Sequence, residues 1–357
     1  MKKKWIVIPL LMLTVIGAWA MPGLQHVWQR LGPRSEVVVD RAMRAQVIDT
    51  LVAKLNDHYV FPDKAKQIEA LLRQRQQEGK YDGITNGNRL ARQLRTDLHG
   101  VARDLHMKVW FMPGLVLPEG DGPAPASEAQ WEDRNNFVKR LLMRQEASRQ
   151  VKKVQHLGHN IGYLKTSGFP AAFLVADKYA AAMDELAATD GLIVDLRDNG
   201  GGEPESVALL ISYFVDQRTR LNDLLDRETG NTIEHWTQDR VGGRRYGGKK
   251  PVVILVGPGT ASAAEDFAYT MQAMKRATVV GERTWGGAHP ASPHRLNEHF
   301  YAVIPGQRSI SPITGTNWEG VGVVPDIAAT PGNALAVAHK LMQRRLQRSA
   351  PLAAAGH

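Results

Sequence analysis

Pro251–Val256 is apolar at nearly every position, six residues long, and followed at once by Gly257-Pro258-Gly259. A strand with one wet face alternates apolar and polar residues, so a short run without alternation must be covered on both faces. Shorter runs of the same kind occur at Ile161–Leu164, Gly191–Leu196 and Thr278–Gly281. Helical stretches lie between them: Ala172–Ala188, with Phe173, Tyr179, Met183 and Leu186 on or near one face, then Pro204–Val215 and Ala261–Met274. Strands alternating with helices predict an α/β fold, a sheet joined by crossover connections and covered by helices. Asp216–Lys250 is polar and rich in Gly and Arg, and is expected to form a hairpin or surface excursion.

The region before this pattern reads differently. Residues 35–113 predict a smaller helical domain, with helices over Ala42–Leu55, Lys64–Gln77 and Asn88–Val101 and a short strand at Met107–Phe111. Residues 114–155 are expected to be a linker rich in Pro, Gly and Ala followed by a polar helix over 131–153. The α/β domain is then expected over 156–335, with a C-terminal helix and tail over 336–357.

Lys2, Lys3 and Lys4 precede an uncharged run from Trp5 to Ala20, which ends Ala18-Trp19-Ala20 before Met21-Pro22-Gly23. This is the pattern of a signal peptide over 1–20, cleaved after Ala20. An uncleaved anchor is the competing reading, although the run is shorter than the about 20 residues that span a bilayer. The chain is therefore expected to be exported, to a periplasm or beyond. It has no cysteine, which excludes disulfides, thiol nucleophiles and cysteine zinc sites. The net charge of +9 is dispersed rather than gathered into a stripe, so nucleic acid is not an expected partner. No H-E-x-x-H or other ligand spacing occurs, and neither a metal nor a cofactor is expected.

Two segments have the residue types that chemistry needs. In Val252–Glu265, VVILVGPGTASAAE, a buried strand turns through glycines directly into a helix, with Ser262 in its first turn. Backbone N–H groups there lack intrahelical acceptors and the helix dipole favours negative charge. A serine so placed is presented at the sheet edge, and the Ala263 N–H can help hold an oxyanion. Thr260 or Ser262 would serve equally as an ordinary helix cap. In Leu192–Gly202, LIVDLRDNGGG, a strand ends in three glycines that allow close backbone approach. One of their N–H groups can supply a second oxyanion donor; a plain strand-to-helix turn explains the same run. A phosphate loop is the weaker option, since the Walker lysine and the G-x-G-x-x-G spacing are absent.

Together these segments resemble the S41 peptidase family. Asp195-Leu196-Arg197-Asp198-Asn199-Gly200-Gly201-Gly202 matches its D-x-R-x-N-x-G-G strand end. Thr260-Ala261-Ser262-Ala263-Ala264-Glu265 matches the T/S-A-S-A-x-E stretch that holds the nucleophile, and Gly281-Glu282-Arg283-Thr284-Trp285-Gly286 matches G-E-x-T-x-G, in the same order. The resemblance implies a crotonase/ClpP-like ββα core, Ser262 as nucleophile, and Gly201 and Ala263 as oxyanion donors, with Gly200 the alternative to Gly201. Family members with a Ser–Lys dyad have the lysine where this chain has Gly287, and no lysine lies between Arg276 and Gly306. Trp285-Gly286-Gly287-Ala288-His289-Pro290, Tyr59-Val60-Phe61-Pro62-Asp63 and Asn317-Trp318-Glu319-Gly320 instead resemble the branch that includes the interphotoreceptor retinoid-binding protein repeats. No PDZ domain fits between Phe111 and Ile161.

The tricorn protease core, a relative, resembles a Ser–His–Glu arrangement. Asp104-Leu105-His106 occupies the place of its histidine and Glu319 that of its acid, while its helper serine is replaced by Leu105. The resemblance thus implies His106 as general base and Glu319 as the residue that orients it, with His289 as rival base. Glu265 and Glu282 are expected to cap or pair locally. The implied activity is a serine-type peptidase acting on a peptide or protein; the competing function is an apolar-ligand carrier on the same scaffold, and a third is a non-catalytic envelope partner.

Overall fold

The computed structural model describes residues 37–113 and 137–354. The expected leader at 1–20 and the stretch 114–136 lie outside them. In chain order the elements begin with α1 (Arg41–His58), α2 (Pro62–Gln77), α3 (Gly87–Ala102), β1 (Lys108–Phe111), α4 (Phe137–Ser148), β2 (Val151–Leu157), β3 (Ile161–Thr166), α5 (Ala172–Leu186), β4 (Gly191–Asp195) and α6 (Pro204–Ile211). They continue with β5 (Asp223–Asp226), β6 (Thr232–Ile233), β7 (Val252–Val256), α7 (Ala263–Ala273), β8 (Thr278–Gly281), β9 (Ala291–Arg295), β10 (Phe300–Pro305), β11 (Gln307–Ile310), β12 (Ile327–Ala328) and α8 (Ala334–Ala354). Among the described residues no helix is long and apolar enough to cross a membrane.

These residues form two compact units. The first holds α1–α3 with β1, β9 and β10. Asp40 caps α1 by accepting from Met43 N–H at 2.7 Å, Asn86 caps α3 through Arg89 N–H at 3.0 Å, and Pro62 opens α2. Val47, Ile48, Leu51 and Leu55 of α1 and Leu90, Leu94 and Leu98 of α3 recur at helical spacing and are buried together. The unit is not helical alone: β1, β10 and β9 form an antiparallel sheet in that order. Phe300 and Ile304 of β10 are fully buried in the helical core, which is why a segment nearly two hundred residues further along belongs to this unit rather than to the sequence-adjacent one.

The second unit is the α/β part. Its sheet runs β12-β8-β7-β4-β3-β2; every neighbouring pair is parallel except β2 with β3. Val252, Ile254 and Val256 of β7 face a core shared with α5, α6 and α7, whereas Val253 and Leu255 face Ala334, Ala338 and Met342 of α8. Strand alternation therefore feeds two separate cores, one per face, which accounts for the uninterrupted apolar run. Helix α8 lies so close that a Cβ on Gly191 would sit 2.4 Å from Met342 Sδ.

One expected element changes type. The predicted helix over 131–153 stops at Ser148, and Val151–Leu157 is an edge strand paired with β3. Lys152, Lys153 and Gln155 carry no helical apolar stripe, and lysines on an edge strand hinder pairing with another chain. The predicted excursion at Asp216–Lys250 contains a short antiparallel hairpin, with Leu224 opposite Ile233.

Candidate active site

Strand β7 delivers the chain to Gly257 and the turn that follows is fastened at each residue. Thr260 Oγ1 donates to Leu196 O at 2.8 Å and accepts from Gly257 N–H at 3.0 Å; Ala261 N–H donates to Asn199 O at 3.0 Å. Thr260 is thus a buried clamp between the two turns. Ser262 is the N-cap of α7 with φ 53° and ψ −116°, a left-handed conformation that a non-glycine residue adopts at a cost of about 1–3 kcal/mol. It lies just before the helix rather than inside the first turn.

The strain is held by Glu265, which is fully buried. Its carboxylate accepts from Ser262 N–H at 2.7 Å, Thr284 Oγ1 at 2.5 Å, Gly286 N–H at 2.6 Å and Gly287 N–H at 3.0 Å. Burial pushes its pKa up, against the lowering effect of these donors, the Thr284 hydroxyl first. The Ser262 N–H contact is the local capping expected of Glu265, whereas the other three donors, 19–22 residues further along, bind the serine's backbone to the loop 284–287.

The second turn is built on Asn199. Its Nδ2 donates to Thr166 Oγ1 at 2.8 Å, and its Oδ1 accepts from Gly201 N–H at 2.9 Å. The N–H expected to face an oxyanion is therefore already engaged, by a side-chain acceptor that the sequence pattern does not reveal. Gly200 N–H has only a 3.4 Å contact with Ser167 O. Gly202 has φ 146°, and a Cβ there would meet Phe169 O at 1.9 Å, so only glycine fits. Ala263 opens α7, where its N–H has no intrahelical acceptor. Beneath both turns Asp195 is fully buried and paired with Arg197 (2.7 Å) and Tyr163 (2.6 Å). The Arg197 guanidinium and the Tyr163 hydroxyl hold it below the usual carboxylate range against the larger opposing effect of burial.

Loops 284–289 and 317–323 are zipped together. Gly320 N–H donates to Gly286 O at 2.8 Å, Trp318 Nε1 to Gly287 O at 2.9 Å and Val323 N–H to Thr284 Oγ1 at 2.6 Å. This places Glu319 Oε2 2.5 Å from Ala288 N–H and 3.5 Å from Nδ1 of His289, a buried side chain. The α/β unit thus brings Glu319 and His289 together on the loop that Glu265 ties to Ser262. His106 belongs to the first unit, in the turn after α3. It is 7% exposed, and its backbone N–H donates to Asp104 Oδ1 at 3.1 Å.

A family model described as peptidase family S41 matches residues 160–329, and a second, described as the N-terminal domain of peptidase S41 in eukaryotic IRBP, matches residues 33–146. The chain belongs to peptidase family S41. Among curated relatives it is 30% identical over 175 residues to carboxyl-terminal-processing peptidase 2, chloroplastic, of Arabidopsis thaliana, covering 46% of this chain and 31% of that one. It is 33% identical over 129 residues to the carboxyl-terminal-processing protease of Synechocystis sp., covering 36% and 29%. To the tricorn protease of Thermoplasma volcanium it is 28% identical over 143 residues, covering 40% and 12%. The chain spans about a third of the length of the first two relatives and less of the third. Among solved structures, one from Parabacteroides merdae matches with a TM-score of 0.58 at 18% identity, over 84% of this S41 chain and 96% of that one. The tricorn protease structure matches with a TM-score of 0.54 at 14% identity, over 86% and 37%. At these identities the likeness is one of fold.

Proposed function

We propose that the chain is a serine peptidase that cleaves peptide bonds through an acyl-enzyme on Ser262. One observation supports this above others: the serine takes up an unfavourable left-handed backbone at the N-terminus of α7, held there by Glu265. Strain of this kind persists where a side chain must be presented in one direction. In the proposed cycle Ser262 Oγ attacks the peptide carbonyl while a histidine takes its proton, and the carbonyl oxygen becomes an oxyanion. Ala263 N–H is one donor to it. Gly201 N–H would have to exchange Asn199 Oδ1 for the oxyanion, so Gly200, loosely held at 3.4 Å, is the better second donor. The protonated histidine then gives its proton to the leaving amine, and water attacks the acyl-enzyme by the same route.

The resemblance assigns the base to His106 and its orientation to Glu319. A second reading, with His289 as base, is favoured by its 3.5 Å approach to Glu319. The substrate class is a peptide or protein, near a free C-terminus if the named role of the carboxyl-terminal-processing relatives extends to this chain. The Lys2–Ala20 pattern supports export, and the match of residues 33–146 to the IRBP-type N-terminal domain supports that branch.

A fluorophosphonate probe on the mature protein tests the nucleophile: wild type labels and Ser262→Ala does not. Absence of labelling together with tight binding of a fatty acid or retinoid would favour the carrier. For the base, His106→Ala is expected to slow labelling by on the order of 10³-fold or more. Retained labelling there, with loss in His289→Ala, assigns the base to His289.

A further inference from the structure

We propose that Asn199 is the positioning residue of the oxyanion turn: its buried amide, seated on Thr166, fixes Gly200 and Gly201 against the nucleophile turn and keeps that place uncharged. This rests on the peptidase reading and adds to it a residue that acts through the glycines rather than on the substrate.

Asn199 is fully buried, and its backbone and side-chain hydrogen-bonding groups are all engaged. Its N–H donates to Leu196 O at 3.0 Å, and its C=O accepts from Ala261 N–H at 3.0 Å. In the side chain, Nδ2 donates to Thr166 Oγ1 at 2.8 Å and Oδ1 accepts from Gly201 N–H at 2.9 Å. Thr166 is the last residue of β3, Leu196 follows β4, and Ala261 precedes Ser262 in the turn after β7. These strands are neighbours in the order β7-β4-β3. One residue therefore ties three adjacent strand ends together.

The amide governs what the glycines can do. Gly201 N–H is held by Asn199 Oδ1, and Gly201 O accepts from Phe169 N–H at 2.7 Å. Gly200 thus lies between two fixed residues, while its own N–H has the loose 3.4 Å contact with Ser167 O. Consecutive glycines have no side chains to restrain them and lose the most conformational freedom on ordering. The peptide joining Gly200 to Gly201 takes its orientation from the Asn199 side chain.

Charge accounts for an amide at this position. Two acids precede Asn199, and each is matched with a cation: Asp195 with Arg197 at 2.7 Å, and Asp198 with Lys165 at 2.6 Å. The side chain that touches the glycine N–H is the neutral one. An aspartate at 199 has the same shape and can keep both bonds, because the Thr166 hydroxyl can rotate to donate instead of accept. Its negative charge would oppose an oxyanion forming on the neighbouring N–H groups.

The test follows fluorophosphonate labelling rates per folded molecule across the range from weakly acid to pH 8, for the full chain and two variants. Asn199→Asp is expected to label on the order of 10²-fold more slowly than wild type at pH 8. Its ratio to wild type should climb as pH falls, because burial raises the pKa of a carboxyl and protonation restores a neutral group. Glu203 and the histidines titrate in both proteins, so the ratio sets them aside. Thr166→Val takes away the seat of the amide and adds no charge, and should slow labelling by about tenfold at every pH. An asparagine that only stabilises the fold would give no slope once rates are counted per folded molecule. A pH-independent ratio for Asn199→Asp, or wild-type rates in both variants, therefore overturns the role. Should Asn199→Asp fold only in acid, its rate there must approach that of wild type, or the role falls as well. A wild type that does not label removes the peptidase reading and this role with it, whereas a labelling wild type beside a flat ratio removes the role alone.

Discussion

The two turns of the α/β unit solve the same geometric problem in opposite ways. At 199–202 the unusual backbone is carried by Gly201 and Gly202, with φ 98° and 146°, and the turn offers only main-chain groups. At 260–265 the unusual backbone falls on Ser262, a residue with a side chain and the nucleophile in the proposed function. Glycine removes the strain in the first turn, whereas a buried carboxylate with four donors restrains it in the second. A turn that contributes backbone can be relaxed; a turn that presents a hydroxyl must be held.

That contrast breaks first at Glu265. Glu265→Ala strands the N–H groups of Ser262, Gly286 and Gly287 in a buried site, and a loss of more than about 3 kcal/mol is expected in urea melts. Labelling of Ser262 should fall by on the order of 10²-fold in the fraction that folds. Next, Gly202→Ala forces a Cβ against Phe169 O at positive φ and should cost about 2–3 kcal/mol on the same assay. If Gly202→Ala is neutral, the glycine turn is not constrained as described.

The third prediction concerns Glu203, at the end of the glycine turn. Its folded pKa, about 7, lies above the 4.5 of an ordinary glutamate, so folding favours the protonated form. Its favourable share is fully present below pH about 4.5, is lost as pH rises through about 7, and is constant above. Glu203→Gln should therefore match wild type in relative stability at low pH and gain on the order of 3 kcal/mol on it by pH 8, from denaturant midpoints. A difference independent of pH would refute the raised pKa of this half-buried carboxyl. The smallest effect separates two variants that lack the proposed nucleophile: Ser262→Gly should be about 1 kcal/mol more stable than Ser262→Ala, since glycine tolerates φ 53° and alanine does not.

Much of the sheet was legible because burial on both faces erases alternation, as in Val252–Val256 and Leu192–Val194. The three N-terminal helices were legible as well, the first from the helical spacing of Val47, Leu51 and Leu55. Strands β9 and β10 were not: Ala-Ser-Pro-His-Arg has no strand pattern, and the pairing of β10 with β1 spans nearly two hundred residues. Ser262 could be singled out by the glycines before it and the helix after it, but its positive φ could not, because nothing in Thr-Ala-Ser-Ala marks it. The engagement of Gly201 N–H by Asn199 was equally hidden, since the same Asn-Gly-Gly pattern suits a free donor. Glu319 and His289 could both be named from the sequence, but their 3.5 Å approach could not, because it depends on the hydrogen bonds that join loops 284–289 and 317–323.

Glu265 has a consequence for descent as well as for catalysis. A lineage that abandoned hydrolysis could discard the hydroxyl of residue 262, yet would still need the glutamate three positions on to keep two loops in shape. Persistence of that glutamate in a relative without the serine therefore marks an inherited scaffold, and says nothing about whether bonds are still being cut.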